Sequence, residues 1–127
     1  MTSVAWWTMG NLTYDGFVDL LRSAVPGVED VYRAHIERND ELLQHVLLGD
    51  LTRFVLSEAD THGQDSFVLR QIMPLLEAAM GSDDEKLQEL IAVSFLENVL
   101  PEDGGFEAVR AWFGPKLEEQ YLKFRYL

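Results

Sequence analysis

Between residues 87 and 100 the apolar side chains Leu90, Ile91, Val93, Phe95, Leu96 and Val99 leave almost no face of a helix polar. A helix that is apolar nearly all round needs neighbours on every side. The chain is therefore expected to wrap other helices around this segment, and the remaining sequence supplies them. Phe17, Val18, Leu21 and Val25 recur at helical spacing and stop at Pro26-Gly27. Val31, Tyr32, His35 and Ile36 mark one face of a helix over residues 28–38. Asn39 and Asp40 are placed to end that helix and cap the next.

A short helix is predicted over residues 41–48, with a break or bend at Gly49-Asp50 and a longer helix to about His62-Gly63. Asp65 or Ser66 opens another, which carries Pro74 in its interior and so predicts a kink. Ser82 with Glu85 three residues on has the spacing of a capping box at the start of the 87–100 helix. Pro101 ends that helix, Glu102-Asp103-Gly104-Gly105 reads as an exposed turn, and Gly114-Pro115 separates a helix over 106–113 from one over 116–125. No strand-type alternation competes. The prediction is a single all-α domain over 1–127, a bundle of six to eight helices, with residues 1–12 as an N-terminal extension. Pairing of antiparallel helices in the manner of HEAT arrays is an analogy only, because no internal sequence period is visible.

The net charge of −12 is uneven along the chain. Nine acidic residues lie between 77 and 107, and only Lys86 offsets them. With an apolar content of 47%, such a chain folds rather than staying disordered. Its acidity repels nucleic acid and anionic membrane and attracts basic proteins. If the 87–100 helix is straight, the acidic turns at its ends stand about 25 Å apart. The chain has no cysteine, which excludes disulfides and thiolate chemistry. No basic and apolar leader or membrane-spanning run is visible, so a cytoplasmic location is expected.

Candidate chemistry is sparse. His35, Asn39, Glu41, His45 and Asp50 fall close together in sequence, and two histidines with a carboxylate are a metal-binding set in principle. No recognised spacing accompanies them, and capping and turn chemistry explain the same residues. Asp50 is a candidate helix cap paired with Arg53 at i+3. Ser94, Glu97 and Asn98 form the polar arc of the apolar helix, and Glu97, if buried, needs a partner such as Arg53, Arg70 or Arg110. Serine-nucleophile and phosphate-loop motifs are missing. Trp6-Trp7 is expected to dock on the bundle, and Trp112 is a residue type that dominates interfaces. No cofactor, metal or catalytic residue is predicted.

The stretch over residues 45–53, the helix over 90–99 and the turn Gly114-Pro115-Lys116-Leu117 resemble a group of small, acidic, all-helical bacterial proteins of uncharacterised function. The resemblance runs from about Asp15 onward. Some such proteins are encoded beside secreted toxins and act as their immunity partners. The resemblance implies no site residues. It does imply a non-catalytic binding protein, neutralising a basic toxin through acidic contacts. The charge pattern nominates Asp83, Asp84, Glu85, Glu102, Asp103 and Trp112 as partner-binding residues. The alternatives are a helical scaffold or homodimeric binding protein, and, last, a metal-dependent enzyme built on His35, Glu41 and His45.

Overall fold

The computed structural model describes residues 12–125. They form seven α-helices: α1 (Phe17–Ala24), α2 (Val28–Asn39), α3 (Gln44–His62), α4 (Phe67–Met80), α5 (Glu85–Ser94), α6 (Phe106–Arg110) and α7 (Pro115–Arg125). Short 3-10 turns at Gly63–Asp65 and Leu96–Asn98 follow α3 and α5, and no strand occurs among the described residues. The all-α bundle expected from the periodicity is the fold. Buried apolar residues from all seven helices meet in one core. None of these helices is long and apolar enough to cross a membrane. Trp6 and Trp7 lie outside the described residues.

The centre of the bundle is α3, which packs against α2, α4, α5 and α6. The sequence predicts a break or bend at Gly49-Asp50, but the helix runs through it. Glycine costs about 1 kcal/mol relative to alanine in a helix interior. The buried face of Leu47, Leu48, Leu51, Thr52, Val55 and Leu56 flanks Gly49 on both sides and outweighs that penalty. Asp40 caps nothing. It takes a left-handed φ of 64° at the end of α2, and α3 starts after Leu43 without a side-chain cap. After the 3-10 turn, Ser66 opens α4 as expected, its Oγ accepting from the Leu69 amide at 3.3 Å. Pro74 leaves α4 continuous from Phe67 to Met80. It lies on the exposed side, where the Arg70 carbonyl it deprives of a partner can reach water.

The apolar helix is shorter than its pattern predicts. It stops at Ser94, so α5 is about 15 Å long. A continuing helix would give the Ser94 carbonyl to the Asn98 amide. Instead that carbonyl accepts from Asn98 Nδ2 at 2.9 Å and from Thr52 Oγ1 of α3 at 3.1 Å. The Asn98 amide turns to Phe95, and the chain tightens into the 3-10 turn before Pro101. A straight helix spanning both acidic turns therefore does not exist.

The start of α5 also differs in detail. Asp84, not Ser82, is the N-cap, and its Oδ1 accepts from the Lys86 and Leu87 amides at 3.0 and 3.3 Å. Ser82 Oγ instead accepts from the Asp84 amide at 3.3 Å. Three acids in a row offer competing caps, and the one whose second oxygen also meets Tyr14 prevails.

Candidate functional site

The acids of residues 77–107 divide into two kinds. Glu77, Asp84 and Asp103 satisfy backbone amides. From α4, Glu77 reaches the start of α7, where its two carboxylate oxygens accept from the Lys116 and Leu117 amides at 2.7 and 3.0 Å. Those are orphan donors of a helix N-terminus, and the negative charge also complements the helix dipole. Asp84 Oδ2 accepts from the Tyr14 amide at 2.8 Å, which fastens the chain before α1 to the start of α5. The amides of Tyr14, Leu87 and Lys86 hold the Asp84 carboxyl below the usual carboxylate range. Asp103 Oδ2 accepts from the Leu100 amide at 2.9 Å.

The second kind, Asp83, Glu85, Glu89, Glu97, Glu102 and Glu107, faces solvent. Among the described residues no acid of the run forms an ion pair. The ion pairs lie elsewhere: Glu29 with Arg22 at 2.7 Å, Asp50 with Arg38 at 3.0 Å and with Arg53, and Glu118 with Arg110 at 2.5 Å. Glu97 is exposed, which corrects the buried role expected of it.

The turn at Glu102 is packed rather than free. Gly105 has φ of 83°, and a Cβ there would stand 2.4 Å from the Leu56 carbonyl oxygen of α3. A Cβ on Gly104 would stand 2.9 Å from the Asp60 carboxylate. The two glycines let the acidic turn sit directly on the central helix. Trp112 is half-buried against the core and donates from Nε1 to the Gln64 carbonyl at 2.9 Å. Of the six residues nominated from charge and residue type, Asp83, Glu85 and Glu102 are exposed and their carboxylates accept no hydrogen bond from a described residue, whereas Asp84, Asp103 and Trp112 already hold the fold.

The histidines separate. His35 is fully buried, and its Nε2 accepts from the Leu43 amide at 2.9 Å. That leaves the ring proton on Nδ1, 3.9 Å from Asp50. Asn39 donates to the His35 carbonyl at 2.9 Å. His35 thus closes the loop between α2 and α3. His45 instead meets Ser94, Nδ1 to Oγ at 2.7 Å, and its ring lies 6.5 Å from that of Tyr14. Sequence reasoning missed this pairing, which joins positions 49 apart. A hydroxyl on an imidazole resembles an activated nucleophile. Here Ser94 is only 5% exposed, and the pair ties α3 to α5. Glu41 points to solvent, and no metal-holding group of three His, Asp or Glu exists among the described residues.

Residues 18–126 match DUF7674, a domain of unknown function. The chain belongs to this family. The match takes in α1 through α7 apart from Phe17 at its start, so it covers the whole bundle of this chain. Comparison with curated proteins and with solved structures finds no match.

Proposed function

We propose that the protein is a non-catalytic binding domain that receives a basic protein on its acidic side, as an immunity protein does when it neutralises a toxin. The observation that carries this reading is the contrast in pairing. Arginines pair with Glu29 and Asp50 on α1–α3 and with Glu118 on α7, while the six solvent-facing acids between 83 and 107 form no ion pair among the described residues. Uncompensated charge of one sign speeds encounter with the opposite sign and selects against like-charged partners. Asp83, Glu85 and Glu102 are the contact acids in this reading, joined by Glu89, Glu97 and Glu107.

The resemblance to small acidic helical bacterial proteins, some of them immunity partners of toxins, supports a cytoplasmic partner of a basic toxin, to be sought in the adjacent gene's product. The test is co-expression with that product. Protection of the host cell, lost in the Asp83→Asn/Glu85→Gln/Glu102→Gln variant, is the expected result. Full protection by the variant, or none by the native chain together with no basic protein recovered at low salt, removes the reading.

A further inference from the structure

The loop into α3 carries a second surface that charge counting does not find. Leu42, Leu43 and Val46 are 38, 39 and 47% exposed, within a stretch of seven residues that begins with the exposed acids Asp40 and Glu41. With Tyr14, Gln44 and His45 they line a groove of about 390 Å³. The His45–Ser94 hydrogen bond ties one wall of this groove to α5, on which Val93 is 40% exposed. Glu89 and Glu97 stand four residues either side of Val93, both exposed. Neither these two acids nor Asp40 and Glu41 pair with a cation among the described residues. Gln44 Oε1 is buried without a hydrogen-bond partner, an acceptor in want of a donor.

The geometry points to the Leu42–Leu43–Val46 groove as the docking site for a basic amphipathic helix of the partner. Its apolar stripe enters the groove, and its lysines or arginines face the acids that flank it, Asp40 and Glu41 first. Apolar burial sets the affinity, and the surrounding acids select a cationic helix over a neutral one. A second copy of this chain would bring the same acids against themselves, which charge opposes. This inference rests on the proposed basic partner and names the part of it that is recognised.

The probe is a labelled peptide of about fifteen residues with leucine on one helical face and lysine on the other, titrated into the full-length protein and read by fluorescence anisotropy. Leu42→Ser/Val46→Ser is expected to weaken binding by about tenfold or more, given two exposed apolar side chains lost. Phe67→Ser, at a still more exposed apolar site on α4, is expected to leave it within about twofold. Both variants change exposed positions, and circular dichroism checks that they fold. Equal affinity for the Leu42→Ser/Val46→Ser variant and the native chain overturns the groove. If Asp83→Asn/Glu85→Gln/Glu102→Gln weakens that same binding, the acidic-side reading stands without it. Absence of binding to the native chain at low salt overturns both. A dimer in light scattering that Leu42→Ser/Val46→Ser dissolves assigns the groove to a second copy and also overturns the proposal.

Discussion

The helices α1 to α3 and the segment from Glu77 to Glu107 use the same residue types in different ways. In the first, Glu29 and Asp50 each gather guanidinium groups: Arg22 and Arg33 around one, Arg38 and Arg53 around the other. Their charge is cancelled where it stands. In the second, carboxylates either take backbone amides, as Glu77, Asp84 and Asp103 do, or face water unopposed. An amide satisfies a carboxylate's hydrogen bonding without removing its formal charge. The second region is therefore held by acids that keep their charge unpaired, whereas in the first the charges of Glu29 and Asp50 are paired where they stand. Total charge says nothing about which acids remain available. Their partners do.

The contrast can be broken most severely at its anchor. Gly105→Ala places a Cβ against the Leu56 carbonyl at a left-handed φ, with no flexible side chain to yield. A loss of about 3 kcal/mol or more is expected in urea unfolding, enough to release the acidic turn from α3. Next in size is Glu77→Ala, which strips two amides of α7 of their acceptor. A loss of about 1–2 kcal/mol is expected, by analogy with N-cap removal, and Glu77→Gln should recover part of it.

Acid titration sharpens the comparison further. The Arg22 guanidinium holds Glu29 below the usual carboxylate range, the Arg110 guanidinium does the same for Glu118, and the Tyr14, Leu87 and Lys86 amides do so for Asp84. A carboxyl whose folded pKa lies below its unfolded value favours the folded state fully above the unfolded value, about 4, and loses that contribution as pH falls through the folded one. Stability should therefore decline below about pH 4. In about 1 M salt the part due to Glu29 and Glu118 should shrink, because exposed ion pairs are screened, while the part removed by Asp84→Asn should persist. Urea midpoints measured across pH at both salt concentrations decide this.

The smallest stability effect belongs to the solvent-facing acids. Asp83→Asn/Glu85→Gln/Glu102→Gln should change unfolding free energy by no more than about 0.5 kcal/mol while raising the apparent isoelectric point. A large loss would mean that these acids hold the fold as Asp84 does.

Local signals were legible wherever one residue acted on its own neighbours. Pro26-Gly27 ends α1, Ser66 caps α4 and Gly81 follows its last turn. The helical class followed from spacing alone. Events that depend on distant residues were not legible. Gly49 has the look of a breaker, but the buried leucines around it decide. α5 ends at Ser94, whose carbonyl accepts from the Asn98 side chain and shares the hydroxyl of Thr52, 42 positions earlier, with the Leu48 carbonyl. The acid between Asp83 and Glu85 that caps α5 is chosen in part by Tyr14, 70 positions away. The nominated contact acids were half legible for the same reason: exposure could be guessed from charge, but engagement with a remote amide could not.

Glu77 also bears on the order in which the chain is made. It leaves the ribosome 39 residues before Lys116, whose amide it accepts. The acceptor for the last helix is thus synthesised before it, on α4. A chain cut before residue 116 would leave that carboxylate with neither amide to receive, so truncation there removes α7 and the partners of Glu77 together.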